Sequence, residues 1–515
     1  MSGERNAAQM EGGREPTLLE AIAVIAVAAV LVAMSVRYWE TDVHIALVLS
    51  ATVAAAVALF VLKFPWKVIE EGMLASILMG MQAILILCTV GMLIGTWLLS
   101  GVVQTMIYYG LAILNPNIFL IATLLICSIV SLATGTSWGT AGTVGIALMG
   151  IAAGLGVPDP VAAGFIISGA YFGDKMSPLS DTTNLAPAMA GTDIFQHIRA
   201  MAWTTIPSYS AVIVIAGVMG MGYSSNAFDT EKVRAIQDLM KVEFFISPLG
   251  LIPPILVIGL AACGKPALPS IFSGALAGIA FGLFQGASFG TILDVMQNGY
   301  TPDLPARLAD LSENVPELLK LMAENGLSSF STESITNAAA VLKELLARGG
   351  LQSMMWTNSL IICALVFGGV LDRCGFLQSI LRAMMSRVRT VGGYIFAVSA
   401  ACLFTNMVAS DQYIALVLPG RMFKSAFDKK GLHPRMLSRV LEDTGTITSA
   451  IVPWNTCGAY QSNTLGVPTL QYLPYAFFNY LNPIVGIVMA YMGIGIAWRG
   501  KDGEPVIAKT RPAGL

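Results

Sequence analysis

Two polar segments, rich in carboxylate, hydroxyl and amide side chains, interrupt apolar stretches of this sequence. The first spans residues 173–184 and contains Asp174, Ser177, Asp181, Thr182 and Asn184. The second spans residues 442–455 and contains Glu442, Asp443, Thr446 and Asn455. Prolines at 178, 187 and 453 cannot donate a backbone hydrogen bond and interrupt helices, which leaves carbonyl oxygens free. Such oxygens are the ligands that a hard cation prefers, so the segments predict sites for an ion such as Na⁺.

The same carboxylates can hold a proton instead of a cation. A carboxylate that is buried without a cation keeps its proton, whereas a bound cation displaces it. If such a site faces the two sides of a membrane in turn, Na⁺ and H⁺ compete for it and the protein exchanges one for the other. The first candidates are Asp181 and Asp443, and the coupled neighbours are Asp174, Asp411 and Glu442.

Structural roles are the alternative for these residues. Lys175 adjoins Asp174, and Arg439 is a possible partner from the other segment, so Asp174 can instead form a structural ion pair. Two further polar stretches are candidates for closing the sites: Thr136, Ser137 and Thr140 in one, and Thr405, Asn406, Ser410 and Asp411 in the other. Tight helix packing through small residues, including Gly135 and Gly139, explains the first stretch equally well.

The elements that carry these residues are predicted to be membrane helices. Hydrophobic residues make up 55% of the 515 residues and charged residues 12%, about half of what soluble proteins carry. Apolar runs near the length that crosses a bilayer recur throughout. The predicted crossings are 18–37, 43–62, 73–99, 161–188, 203–222, 247–263, 267–286, 353–371, 436–465 and 474–497. Residues 118–156 and 391–420 predict two re-entrant hairpins, although two ordinary spans remain an alternative for the first.

The two halves of the chain repeat one pattern. Matched positions at a nearly constant offset include Gly101 with Gly375, Gln104 with Gln378, Pro207 with Pro483, and Asp174 with Asp443. Five crossings plus a hairpin that does not cross is an odd number, so the second copy must be inverted, as in many secondary transporters. We therefore predict an all-α polytopic membrane protein with inverted repeats, about 10 transmembrane helices and two re-entrant hairpins.

The charge distribution orients this arrangement. With the N-terminus inside, the cytoplasmic segments hold Lys63, Arg199, Lys265 and the basic stretch 421–439, whereas residues 287–352 are net acidic and lie outside. The predicted divisions are a cytoplasmic tail 1–17, a first repeat 18–222, an extracytoplasmic linker 223–246, a second repeat 247–497 with an extracytoplasmic insertion 287–352, and a cytoplasmic tail 498–515. The insertion is amphipathic, and we interpret it as a solvated surface segment.

Other functional classes find little support in the sequence. The seven cysteines and three histidines form no spacing typical of a metal site or of a nucleophile with its base, so we expect no enzyme activity and no cofactor. A glycine-rich stretch before Lys265 resembles a phosphate-binding loop, but Pro266 replaces the hydroxyl residue that such a loop requires. We expect Na⁺, H⁺ and the lipid bilayer as partners, and no nucleic acid.

Three stretches resemble the NhaC-type Na⁺/H⁺ antiporters: residues 135–140, 169–184 and 453–458, within a resemblance over about 70–497. The resemblance implies the fold of the ion transporter superfamily, with broken helices in a transport domain packed on a scaffold domain, and commonly a homodimer. It implies that the first hairpin tip joins residues 174–184 in one cation site and that their symmetry mates form the other. The expected location is the cell inner membrane.

The resemblance does not decide the substrate, because Na⁺- and H⁺-coupled malate/lactate exchangers share these motifs. An anionic substrate needs a positive group in the cavity, and Lys175 is the clearest intramembrane candidate. We expect Na⁺/H⁺ exchange, with an organic acid antiporter as the alternative. The second segment has Ile451–Pro453 where Asp181 and its neighbours would fall, so the first site is the expected site of exchange.

Overall fold

The computed structural model describes residues 13–223, 230–386 and 388–512, and these are mainly helical. Parts of the predicted tails and linker, namely residues 1–12, 224–229 and 513–515, lie outside the described residues. The helices up to residue 223 are α1 Leu18–Arg37, α2 Val43–Ala56, α3 Trp66–Leu99, α4 Val102–Ile113, α5 Pro116–Thr134, α6 Ser137–Thr140, α7 Ile146–Leu155, α8 Asp159–Met176, α9 Asp181–Ala190 and α10 Ile194–Tyr223. π-Helical turns at Val57–Val61 and Ala141–Gly145 continue α2 and α6.

The rest of the chain repeats this helical character and ends in a small β-hairpin. Its helices are α11 Thr230–Glu243, α12 Ile252–Ala262, α13 Ala267–Phe284, α14 Phe289–Asn298, α15 Asp303–Asp310, α16 Val315–Glu324, α17 Thr332–Leu346, α18 Met355–Arg373, α19 Phe376–Ser386, α20 Val391–Val408, α21 Gln412–Lys430, α22 Pro434–Val440, α23 Ile447–Ser449, α24 Thr456–Leu465, α25 Thr469–Tyr472 and α26 Phe477–Met492. Short 3₁₀ turns lie at Pro248–Leu251, Gln352–Met354 and Leu473–Tyr475, and a π-helical turn at Leu441–Thr446.

The described residues contain nine helices that are long and apolar enough to cross a membrane, or up to 11 if each bent helix pair is one span. The prediction of a multi-pass helical membrane protein is thereby confirmed. The bounds of α1 and α2 follow the apolar runs closely, because a capping box at Thr17 and an N-cap position at Asp42 mark their starts. α10 begins at Ile194, well before the predicted 203, because its first turns carry polar residues that lower the apparent hydropathy.

Both predicted crossings that contain the polar segments are broken. The predicted span 161–188 is α8 and α9, which are separated by a non-helical turn after Met176. The predicted span 436–465 is α22, a π-helical turn, α23 and α24. Helix α4 was not predicted as an element of its own, although Gly101 in the left-handed conformation gives it a separate start after α3.

The insertion 287–352 folds as the helices α14 to α17 and packs on other parts of the chain. α14 contacts α3, and α17 contacts α7 and α11. Leu308, Leu318 and Met322 are buried as its amphipathic pattern predicts, whereas Val315 and Leu319 are exposed.

A β-hairpin in the predicted C-terminal tail departs from the all-α expectation. β1 Ala497–Arg499 pairs antiparallel with β2 Pro505–Ile507. Trp498 is buried, and the His433 backbone N–H donates to the Ala497 carbonyl at 2.9 Å. The hairpin therefore packs against the start of α22 instead of extending into solvent.

Candidate cation site

Four helix breaks converge on one cavity of about 280 Å³. They separate α5 from α6, α8 from α9, α20 from α21, and α23 from α24. The carboxylates in the cavity wall are Asp174, Asp181 and Asp411. Lys265, in the turn between α12 and α13, lies in the same wall. Among the described residues, the first polar segment lines this cavity, and the second ends beside it, just before Thr456 and Cys457 in the wall.

Asp174, in the last turn of α8, is buried and accepts hydrogen bonds from hydroxyl groups. Ser137 Oγ, at the first residue of α6, donates to Asp174 Oδ2 at 2.6 Å, and Ser180 Oγ donates to Oδ1 at 2.6 Å. In the described part of the chain, no Lys, Arg or His side chain forms an ion pair with Asp174. This carboxylate therefore keeps a negative charge, when ionised, that no protein cation balances directly.

Asp181, at the start of α9, is exposed to the cavity. Tyr413 donates its hydroxyl to Asp181 Oδ2, and the backbone N–H of Thr182 donates to Oδ1 at 2.8 Å. The sequence placed Asp181 first among the candidates as an intramembrane carboxylate. The structure brings it to the same cavity as Asp174, in the more open position.

A row of hydrogen bonds joins Asp174 to Glu442, in the other polar segment. Ser180 Oγ lies 3.0 Å from Thr182 Oγ1, which lies 3.0 Å from Glu442 Oε1. Glu442 is fully buried, and the hydroxyl of Thr446 also lies near its carboxyl group. The row has three contacts: Asp174 with Ser180, Ser180 with Thr182, and Thr182 with Glu442. Each contact needs one donated proton, and the two hydroxyl groups supply only two. All three contacts are satisfied only if one of the two carboxyl groups is protonated.

Asp443, the repeat mate of Asp174, lies in a buried ion-pair network. Lys175 Nζ pairs with Asp443 Oδ1, and Arg439 Nε lies 3.7 Å from Oδ2. The alternative considered for Asp174, pairing with Lys175 or Arg439, is thus realised by Asp443 instead. Both cations are fully buried, so removing the Asp443 carboxylate would leave two positive charges uncompensated in a region of low dielectric.

Other donors complete the surroundings of Asp443. Thr204 Oγ1 and Asn482 Nδ2 donate to its Oδ1 at 3.0 and 3.2 Å. Neither Glu442 nor Asp443 contributes to the wall of the cavity.

A second polar cluster surrounds the break between α20 and α21. Asp411 is buried and caps α21 by accepting from the Ile414 backbone N–H at 3.0 Å. Asn406 Nδ2 donates to the Gly445 carbonyl at 2.7 Å, and Asn455 Nδ2 donates to Asn406 Oδ1 at 3.1 Å. These side chains hold the broken segments together, and of the three only Asp411 reaches the cavity wall.

The remaining predicted site residues stabilise turns or lie apart from the carboxylates. Ser177 Oγ donates to the Leu132 carbonyl at 2.8 Å, and Asn184 Nδ2 donates to the Ser180 carbonyl at 2.6 Å. Thr140 Oγ1 donates back to the Thr136 carbonyl at 3.0 Å. The exception is Thr446, which is buried with its hydroxyl near the Glu442 carboxyl group, four residues earlier.

Three residues near the carboxylates were not predicted as site residues. Ser180 lies within the first polar segment, six residues after Asp174, but was not among the predicted site residues. Tyr413 follows the predicted Asp411 by two residues, a local signal that was available. Lys265 was interpreted as a charge of a cytoplasmic turn, and only the tertiary fold places it in the cavity wall.

The described part of the chain contains no group of three or more His, Cys, Asp or Glu placed to hold a metal ion. Carboxylate and hydroxyl oxygens beside Asp174 are of the kind that a hard cation prefers. Broken helices around a carboxylate-lined cavity, in a chain with nine or more candidate spans, are typical of secondary transporters.

Comparison with known proteins specifies the class. The chain belongs to the Na⁺/H⁺ antiporter family, whose profile matches residues 169–324 and 313–494. The Na⁺/H⁺ antiporter NhaC of Alkalihalophilus pseudofirmus is 36% identical over 475 residues, which cover 92% of this chain and 95% of that protein. The NhaC-type resemblance seen in the motifs is thereby confirmed.

Relatives with other substrates are about equally similar. The malate-2H⁺/Na⁺-lactate antiporter of Bacillus subtilis is 36% identical over 485 residues, covering 94% of this chain and 96% of that protein. The arginine/ornithine antiporter ArcD of Halobacterium salinarum is 33% identical over 496 residues, with 96% and 95% covered. All three relatives are named as antiporters, and overall identity does not separate their substrates.

Proposed function

We propose that this protein exchanges Na⁺ for H⁺ across the membrane by alternating access, and that Asp174 is the carboxylate for which the two ions compete. The observation that carries the proposal is the contrast between Asp174 and Asp443. Asp174 is buried, lies in the cavity wall and accepts hydrogen bonds from Ser137 and Ser180 without a paired cation among the described residues, whereas Asp443 is paired with two protein cations. Only the first carboxylate has a charge left for a transported ion to balance.

The hydroxyl groups around Asp174 suit both ions. A hydroxyl donates its proton to a carboxylate when no cation is bound, and the same oxygen can turn a lone pair toward a cation. Ser137 and Ser180 stand in this position at Asp174. All hydrogen bonds of the row between Asp174 and Glu442 can form only when one of these two carboxyl groups is protonated. A proton bound in this row is therefore the state that competes with bound Na⁺. Asp181 and Asp411, in the same wall, add negative potential that attracts cations to the cavity.

The proposal includes the inverted repeats and re-entrant hairpins predicted from sequence. Matched positions have the same local structure, which supports the repeat: Gly101 and Gly375 are both left-handed, with φ of 70° and 82°. Gln104 and Gln378 each donate to a backbone carbonyl six residues earlier. The breaks at the two hairpin tips also match, since both contain a left-handed residue, Gly135 in one and Ser410 in the other.

The predicted divisions remain part of the proposal. They place the repeats at 18–222 and 247–497, the linker 223–246 and the insertion 287–352 outside, and the tails 1–17 and 498–515 in the cytoplasm. The broken helices and hairpins form a transport domain on a scaffold domain. We further propose that the protein works as a homodimer in the cell inner membrane and needs no cofactor beyond the transported ions.

Transport in everted membrane vesicles tests the function. Respiration acidifies the vesicles, and a pH-sensitive dye reports the loss of the pH gradient when Na⁺ is added. We expect Na⁺ to dissipate the gradient with the wild-type protein and not with Asp174→Asn. Asp502→Asn is the matched control, because Asp502 is exposed in the C-terminal turn. Exchange retained by Asp174→Asn with unchanged Na⁺ dependence would remove Asp174 from the proposal.

Organic acid exchange is the second candidate, and one observation favours it. Lys265 gives the cavity wall a positive group that sequence reasoning sought in Lys175, which is paired with Asp443. The relative from Bacillus subtilis named for malate and lactate matches this chain over nearly its whole length. Counterflow of labelled malate or lactate that is lost in Lys265→Gln, without any response to Na⁺ alone, would establish this alternative in place of the first.

A further inference from the structure

The insertion 287–352 is fixed to α3 by contacts of glycine backbone. The Gly350 backbone N–H donates to the Gly91 carbonyl at 2.7 Å. A Cβ added at Gly91 would lie 2.5 Å from the Gly350 carbonyl oxygen, and one added at Gly95 would lie 2.6 Å from the Val295 carbonyl oxygen. Backbones this close leave no room for side chains, so both ends of the insertion and α3 form one closely packed unit.

Arg348 lies next to this glycine contact and reaches a different element, helix α24. Its Nη1 donates to the carbonyl oxygen of Leu465, the last residue of α24, at 3.1 Å. Unpaired carbonyls and the helix dipole favour a cation at a helix C-terminus. A Cβ added at Gly466 would lie 2.5 Å from Arg348 Nη1, so the absence of a side chain there admits the guanidinium. The contact is thus a close fit between an arginine and a helix end.

A second side chain holds the same end of α24. Asn463 Nδ2 donates to Thr357 Oγ1 at 2.6 Å and to the Ser353 carbonyl at 3.1 Å. Thr357 belongs to α18, which packs along α3. The C-terminal half of α24 is therefore tied to the α3–α18 pair by two polar contacts.

The other end of α24 belongs to the cavity. Thr456 and Cys457, its first residues, line the cavity wall. A helix of this length spans about 15 Å, so Arg348 acts at the end remote from the cavity. Helix α3 shows the same separation, since it lines the cavity at Gln82 and Ile86 and contacts the insertion at Gly91, further along.

We propose that Arg348 is a latch that keeps the insertion side of the protein closed while the cavity is open, and that it releases α24 when the binding site turns to the insertion side. The inference rests on the alternating access proposed above and assigns the insertion a part in it. Arg348 acts through α24, so it is a positioning residue and no ligand of the transported ion. Loss of a hydrogen bond from a charged donor shifts such an equilibrium about tenfold or more.

Accessibility of a native cysteine tests the latch without any transport measurement. Cys457 lines the cavity, and Cys263, exposed after α12, serves as an internal reference. A small membrane-impermeant thiol reagent is added to everted and to right-side-out vesicles, and mass spectrometry reads each cysteine separately. Because the insertion-facing state is the minor one, we expect Arg348→Gln to raise the labelling of Cys457 from the insertion side by about tenfold, with unchanged labelling of Cys263 from the cavity side.

Arg307→Gln is the matched control, because Arg307 lies on the exposed surface of the same insertion, 3.7 Å from Asp303. Labelling of Cys457 that is the same in wild-type protein, Arg348→Gln and Arg307→Gln would overturn the latch. These labelling results hold whichever ion or acid is transported, so they remain informative even if no Na⁺/H⁺ exchange is found.

A cross-link tests the same inference if Arg348→Gln does not fold. The double variant Thr357→Cys/Asn463→Cys is joined after folding by a short bis-methanethiosulfonate reagent, which forms a reducible disulfide with each thiol and releases methanesulfinate, and the single variants receive the same treatment. We expect the cross-link to stop exchange and a reductant to restore it, because α24 must leave α18 during each cycle. Full exchange by the cross-linked protein would show a static contact and overturn the latch.

Discussion

The buried pair of Lys175 and Asp443 allows a prediction with a magnitude. Both side chains are nearly inaccessible to solvent, with exposed fractions of 0% and 3%. Breaking a buried ion pair by removal of one partner costs about 3–5 kcal/mol, since the other charge stays buried and unpaired. Lys175→Met leaves Asp443 with Arg439 and with the donors Thr204 and Asn482. We therefore expect this variant to lose about 3 kcal/mol, at the lower end of that range.

Removal of the carboxylate has the larger expected effect. Asp443→Asn leaves two buried cations without their carboxylate, and Lys175 then retains the ring of Phe478, 5.9 Å from its Nζ, and the charge of Glu442 nearby. The loss should approach about 5 kcal/mol. In the double variant Lys175→Met/Asp443→Asn the two losses should not add. The double variant should therefore be more stable than the sum predicts by about 2 kcal/mol, because the pair couples directly.

Unfolding of the purified protein in mixed micelles of SDS and mild detergent measures these apparent free energies, and vesicle transport measures the Na⁺ dependence of each folded variant. We expect the double variant to keep Na⁺-dependent exchange, with half-saturation within about threefold of wild type, a difference below about 1 kcal/mol. Two results would refute the reasoning. One is additive losses of stability, and the other is a well-folded double variant that no longer responds to Na⁺, which would make Asp443 an ion ligand.

Two further predictions concern the first hairpin tip and its repeat mate. Ser137→Ala removes one of the two hydroxyls that donate to Asp174, so we expect the Na⁺ concentration for half-maximal exchange to rise about fivefold or more, and an unchanged value would argue against a shared site. Gly135→Ala should lower the apparent melting temperature, because Gly135 has φ of 69° and an added Cβ would lie 2.7 Å from backbone of the α8–α9 turn. Ser410→Gly should raise the apparent melting temperature, because Ser410 is left-handed and its buried hydroxyl has no partner among the described residues; we expect a gain of about 1 kcal/mol. A lower melting temperature would show that this hydroxyl has a partner in the working protein.

Sequence reasoning located the helix breaks more reliably than the partners of the charges. The breaks follow from local chemistry: Pro178 and Pro453 cannot continue a helix, and both lie within breaks of the structure. The spacing of Arg439 and Asp443 is also local, since residues four apart share a helix face. The partner of Lys175 was not predictable in this way. Adjacent residues in a helix point about 100° apart, so Lys175 reaches toward Asp443 while its neighbour faces the first hairpin.

Long-range placement explains the other differences. In the sequence, Lys265 is one charge of a basic turn. Its position in the cavity wall depends on how α13 packs on α3 and how α12 packs on α13. The insertion 287–352 reads as an amphipathic surface segment because its helices are short and acidic. The glycines that fix its ends to α3 have no distinguishing signal in the sequence. Their close approach depends on the tertiary structure, which brings the two backbone segments together.

The asymmetry of the two repeats has a physical origin in one lysine. Inverted repeats would offer two equivalent carboxylates, Asp174 and Asp443, and two equivalent cation sites. Lys175 follows the first carboxylate in the chain and neutralises the second, together with Arg439. The Lys175 ammonium balances the charge of Asp443, as a transported cation would balance that of Asp174, but the ammonium is covalently attached and cannot be released. Under the proposed mechanism, one exchangeable site remains, and Lys175, which occupies the other, also binds α8 to the second broken segment.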